Sequence, residues 1–145
     1  MSSRDGWLRL PRMPPDGGAE VEESHMKYLL MIYVNPEIME SLSEDDRNAI
    51  FTEHEAFMKL VTESGEFLST HALGDPSASA TVRVRGGVPA VTDGPYLEAK
   101  EFLAGYYLLE CETRERAVEL AAMIPDARYT AMEVRPIMFS AGAEM

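Results

Sequence analysis

The chain has 145 residues, 46% hydrophobic and 26% charged, the composition of a single folded domain and not of a disordered tail. Its net charge of −12 opposes phosphate backbones and anionic bilayers, so nucleic acid and membrane surfaces are excluded as expected partners. The longest wholly apolar run, YLLMIYV at 28–34, falls far short of the roughly 20 residues that span a bilayer.

Residues 1–25 have no continuous apolar stretch, carry Asp5 early, and include Pro11, Pro14, Pro15, Gly17 and Gly18. They read as an irregular arm and not as a signal peptide. The domain is expected over 26–139, with a tail at 140–145. Cys111 is the single cysteine, so neither an intrachain disulfide nor a cysteine zinc cluster can form. That suits a reducing compartment, and a cytoplasmic location is expected.

From Met26 onward the elements follow in order. KYLLMIYV (27–34) is a strand, stopped by the turn chemistry of Asn35-Pro36-Glu37. Ser43 with Asp46 opens a helix. Ile50, His54, Phe57, Met58 and Val61 recur along it at helical spacing, and Gly65 supplies its stop. EFLSTHAL (66–73) is a second strand, broken by Gly74-Asp75-Pro76. The β-branched residues on either side of Gly86-Gly87 predict a hairpin, with Thr81, Arg83 and Arg85 on one face and Val82 and Val84 on the other. FLAGYYLLEC (102–111) is a strand. Thr113 caps a helix whose stripe of Ala117, Leu120, Ala121 and Ile124 ends at Pro125, and 129–139 forms the last strand.

With the hairpin set aside, the order is βαββαβ, an α+β fold of the ferredoxin-like plan with two helices on one face of an antiparallel sheet. The other face of such a sheet normally alternates polar residues toward water. Here 28–34 is apolar throughout and 102–109 is uncharged, so a second copy of the sheet is the expected cover and a homodimer the expected assembly.

Few residues invite chemistry. His54 lies on the apolar stripe of its helix, which suits either a partly buried general acid–base or a histidine held by hydrogen bonds. Asp75, before a proline, either organises its turn or approaches His54 as an orienting carboxylate, and His71 is the other nearby imidazole. Arg83 and Arg85 present either an anion-holding pair or a solvated strand face. Arg135 needs a carboxylate, which Glu98 or Glu101 would supply. His25, His54 and His71 have no metal-ligand spacing, and no cofactor motif is present, so neither metal nor cofactor is expected.

The densest stretch is DGPYLEAKE at 93–101. Asp93-Gly94-Pro95 forms an efficient turn, and Glu98, Lys100 and Glu101 follow it as either ion pairs or the charged mouth of a pocket. The stretch resembles the DGPF-x-E-x-K-E signature of the DGPF branch of the YCII-related family. Asp93, Gly94, Pro95, Glu98, Lys100 and Glu101 match, while Tyr96 replaces Phe and Ala99 replaces Thr. TVRVRGG (81–87), GYYLLE (105–110) and EVRPI (133–137) stand in the corresponding order, so the resemblance covers about 26–138.

The resemblance implies a ferredoxin-like fold assembled as a dimeric α+β barrel. Some YCII-like relatives carry a His–Asp pair proposed to be catalytic, and one relative acts on chlorinated muconolactones. His54 falls in the matching helix, and Asp75 matches approximately. DGPF-branch members are often encoded beside sigma-factor-like regulators. Two functions follow as expectations. One is a cofactor-independent lyase, isomerase or hydrolase with His54, Asp75 and Asp93 as catalytic residues. The other is a non-catalytic ligand-binding or regulatory homodimer, linked to sigma-factor regulation. In both, Arg83, Tyr96, Glu98, Lys100 and Glu101 hold an unidentified small molecule.

Overall fold

The computed structural model describes residues 25–142. The expected arm therefore lies almost wholly outside the described residues, as does the end of the expected tail. The elements run β1 (Met26–Val34), α1 (Pro36–Ser41), α2 (Glu44–Ser64) and β2 (Phe67–Ala72), followed by a short 3-10 turn (Pro76–Ala78). The hairpin β3 (Ala80–Arg85) and β4 (Val88–Asp93) comes next, then β5 (Phe102–Cys111), α3 (Arg114–Met123), α4 (Asp126–Tyr129) and β6 (Ala131–Pro136). The class is α+β, with antiparallel pairing throughout.

Local chemistry sets the helix limits. The Ser43 side chain accepts from the Asp46 amide at 3.0 Å, and Gly65 closes α2 at φ 83°, a left-handed position that glycine takes without strain. Thr113 caps α3 in the same way through the Arg116 amide. Two helical turns were not read from the sequence. Asn35-Pro36-Glu37 does more than stop β1: the Asn35 side chain accepts from the Glu37 and Ile38 amides and Pro36 starts α1. After Pro125, residues Asp126–Tyr129 wind into α4, which delays the last strand to Ala131.

The main sheet has the order β2-β5-β1-β6. Its register sends Tyr28, Leu30, Ile32, Tyr107, Leu109, Cys111, Met132 and Val134 to the helix-covered face. There they pack with Phe57 and Val61 of α2, Ala117, Leu120 and Ala121 of α3, and Ile124. Burial of each larger aliphatic side chain in this cluster contributes about 1.5–3 kcal/mol. Leu29, Met31, Tyr106 and Leu108 alternate onto the second face, as the continuous apolar pattern requires.

Gly105 of β5 lets the edge strand β2 approach closely. A Cβ there would lie 2.7 Å from the His71 carbonyl oxygen and 3.2 Å from the Ala72 Cα, so only glycine fits. The hairpin forms a sheet of its own, turning through Gly86 and Gly87 at φ 57° and 80°. Successive positive φ values give a type I′ turn, the form that matches strand twist.

Candidate functional site

His54 points inward from α2 with its side chain 23% exposed, and both ring nitrogens are engaged. Nε2 lies 2.6 Å from an Asp126 carboxylate oxygen and Nδ1 lies 2.7 Å from the Tyr107 hydroxyl. Asp126 is 5% exposed and is the one buried charged residue among the described residues. Facing an ionised Asp126, Nε2 carries the proton it donates. Nδ1 either accepts from the Tyr107 hydroxyl in the neutral ring or donates to its oxygen in the imidazolium. Burial, followed by the nearby Asp126 charge, pushes the Tyr107 phenol up to about 12.

This geometry ties α2, α4 and β5 together through side chains inside the molecule. Phe57 packs edge-on against the Tyr107 ring with centroids 4.9 Å apart, closing the site from the same helix. A general base needs a nitrogen that reaches substrate. His54 has none free, and it lines none of the cavities described below.

Asp75 is not the partner of His54. Its side chain caps the 3-10 turn by accepting from both the amide and the hydroxyl of Ser77, at 2.9 and 2.6 Å. These two bonds hold its carboxyl below the usual range, the hydroxyl contributing more than the amide. Asp126 escaped sequence reasoning because no periodicity marks it. The one available signal was an acid directly after the apolar stripe and its stop, Ile124-Pro125.

The DGPY turn is anchored to the start of the hairpin by both polar groups of one residue. The Gly94 amide donates to the Ser79 carbonyl at 2.7 Å, and the Gly94 carbonyl accepts from the Thr81 hydroxyl at 2.9 Å. Gly94 sits at φ 101°, which a side chain resists. The turn thereby sets Pro95 between two neighbouring clefts, both of which Ser79 and Pro95 line.

The first cleft, about 560 Å³, is walled mainly by apolar groups including Tyr33, Leu97, Phe102 and Leu103, with Asp75 and Glu101 among them. The second, about 700 Å³, is lined by Thr81, Val82, Arg83 and Tyr96. The Arg83 guanidinium lies 5.1 Å from the centroid of the Tyr96 ring, a cation–π contact that fixes its direction. Four of the expected residues therefore gather here: Asp75, Glu101, Arg83 and Tyr96.

The remaining expected residues stand elsewhere. Asp93 ends β4 opposite Ala80 and is a neighbour of the anchored turn, not a lining residue. Glu98 and Lys100 are exposed, and among the described residues they form no ion pair. Arg135 takes its carboxylate from Glu133, two residues away on the same face of β6, and not from Glu98 or Glu101. His71 stacks obliquely with Tyr106 at 5.3 Å on the second face of the sheet. No group of three or more His, Cys, Asp or Glu side chains is placed to hold a metal among the described residues, and no helix among them is long and apolar enough to cross a membrane.

The family model for the YCII-related domain matches residues 26–140. The chain belongs to the YCII-related family. Among curated proteins it is similar to "Uncharacterized protein R00369" of Rhizobium meliloti (strain 1021), at 28% identity over 114 residues. That alignment covers 77% of this chain and 92% of the relative. The matched region of this YCII-related chain opens with β1 and contains the His54–Asp126–Tyr107 cluster and both clefts.

Proposed function

We propose that the protein binds a small organic molecule across the two clefts that meet at Pro95. The observation that carries this reading is the shared wall: one anchored turn separates an apolar cavity from a cavity bearing a directed arginine. Apolar walls with a few fixed polar groups are the usual composition of a ligand site. The ligand class follows from the lining. An apolar body fills the space by Tyr33, Leu97 and Phe102, hydrogen-bond donors face Asp75 and Glu101, and an anionic group faces Arg83.

The assembly we propose is a homodimer of ferredoxin-like subunits in a dimeric α+β barrel. Its support is the β2-β5-β1-β6 order and the uncharged residues Leu29, Met31, Tyr106 and Leu108 on the second face.

A catalytic reading has a separate support, because Asp75 and Glu101 line one largely apolar cavity, where two carboxylates can divide acid and base roles. His54 takes no part in it.

A thermal-shift screen of compounds with an apolar body and one anionic group tests the proposal. Hits that stabilise the wild type and lose at least about tenfold in affinity for Arg83→Ala are expected, as is normal for a lost charge-assisted contact. Binding that is the same in Arg83→Ala and Glu101→Ala would refute the site. Chemical analysis after prolonged incubation separates the two readings: an unchanged compound supports binding alone, and a converted one supports catalysis.

A further inference from the structure

Arg85 shares the face of β3 that carries Arg83, because side chains alternate along a strand and the two stand two residues apart. That spacing is about 6.8 Å along the chain. Directly across the ladder from them lie Ala90 and Val88, which are short and uncharged, and both arginines are exposed. Two like charges placed side by side repel, and an anion held between them removes that repulsion.

The protein itself supplies no such anion here, although it carries 25 acidic residues against 13 basic ones. Arg116, Arg128 and Arg135 each pair with a glutamate. Among the described residues, neither Arg83 nor Arg85 forms an ion pair. Residues 80–92 contain no acid, and Asp93, which follows, pairs with Ala80 on the opposite face of the hairpin. Arg83 instead lays its guanidinium against the Tyr96 ring at 5.1 Å, in the wall of the second cleft. Stacking uses the flat face of the group and leaves its N–H edge to a ligand.

We infer that Arg83 and Arg85 together bind a dianionic head group, that of a phosphate monoester, whose organic body lies in the clefts at Pro95. A phosphate monoester carries about −1.5 to −2 charge at pH 7 and three acceptor oxygens, enough for both guanidinium groups to donate to it at once. A carboxylate or a sulfate ester brings a single negative charge and leaves one arginine unmatched. The inference rests on the proposed ligand site and deepens it, by naming the second arginine and the head group.

Calorimetric titration of the full chain with phenyl phosphate and phenyl sulfate tests it, since the two esters share a shape and differ in charge. The wild type should bind the phosphate ester at least about tenfold more tightly than the sulfate ester. In Arg85→Gln that preference should fall to within about threefold, through loss of affinity for the phosphate ester. Arg83→Gln should weaken both esters. Melting curves of both ligand-free variants should match the wild type, as both side chains are exposed. Equal binding of the two esters by the wild type overturns the inference, as does an Arg85→Gln variant that keeps the full preference. Either result leaves the cleft reading standing where Arg83→Gln weakens both compounds. A wild type that binds neither ester also overturns the paired-arginine site, while the cleft itself is read independently by the compound screen.

Discussion

His54 and Asp126 stand 72 residues apart in the chain, yet the imidazole Nε2 and the carboxylate meet at 2.6 Å. The carboxylate is almost completely buried, so its charge is tolerated only because the imidazole faces it. The pair therefore acts as a clasp between α2 and α4. His54→Ala should destabilise the protein by about 2–4 kcal/mol, the usual cost of leaving a buried charge unpaired. Denaturant unfolding measures this. Affinity for compounds found in the cleft screen should stay within about twofold, since His54 touches neither cavity, whereas a catalytic histidine would leave stability nearly intact and abolish turnover.

Tyr107 extends the clasp and gives it an alkaline limit. Its phenol is held at about 12 against an ordinary 10.0, so the folded state favours the protonated form. The sign follows directly: this contribution to stability is complete below pH about 10 and disappears as pH climbs through about 12. Burial also raises Tyr28 and Tyr33, so ultraviolet titration should show delayed tyrosine ionisation whose step at about 12 belongs to Tyr107. In Tyr107→Phe that delayed step should vanish. Titration of all tyrosines near their ordinary value with the fold intact would contradict the buried hydrogen bond.

Gly94 is where the family signature turns into geometry. Its amide and carbonyl bind Ser79 and Thr81, and its φ of 101° is costly for any residue with a Cβ. Gly94→Ala should cost about 1–2 kcal/mol and move Pro95 out of the wall between the clefts. The expected result is weaker binding of screened compounds together with a modest loss in melting temperature. Thr81→Val, which removes one of the two anchors without backbone strain, should weaken binding less.

The parts of this arrangement that were legible in the sequence are those written in local pattern. The stripe of Ile50, Phe57 and Val61, the Ser43 cap, the Gly65 stop and the Gly86-Gly87 turn each act over a few residues and can be read there. The gathering of Arg83 and Tyr96 was legible only as two separate candidates. Their contact depends on Gly94 folding the chain back on β3, a tertiary hydrogen bond without a periodic trace. The partner of His54 was misplaced for the same reason. A carboxylate near in sequence order to the second strand suggested Asp75, while the true neighbour follows α3 and reaches His54 only because α4 winds after Pro125. Glu133 as the partner of Arg135 was, by contrast, legible and overlooked, because period-two spacing within one strand puts an i, i+2 pair on the same face.

Gly105 offers the most local test of the sheet. A methyl group there would press on the His71 carbonyl at 2.7 Å, and backbone, unlike the end of a flexible side chain, cannot swing aside. Because β5 lies between β1 and β2, separating β2 from it would open the sheet at that edge and disturb Leu73, whose amide donates to the Ala104 carbonyl at 2.8 Å. Leu73 and Gly74 belong to the wall of the apolar cleft. Gly105→Ala should thus cost about 2–4 kcal/mol, as overpacking against a fixed backbone does, and reduce compound binding even in molecules that remain folded. Hydrogen exchange should accelerate first at Thr70, His71 and Ala72, with β1 and β6 following only at global unfolding. Uniform acceleration across all four strands would show that β2 is not an independently opening edge.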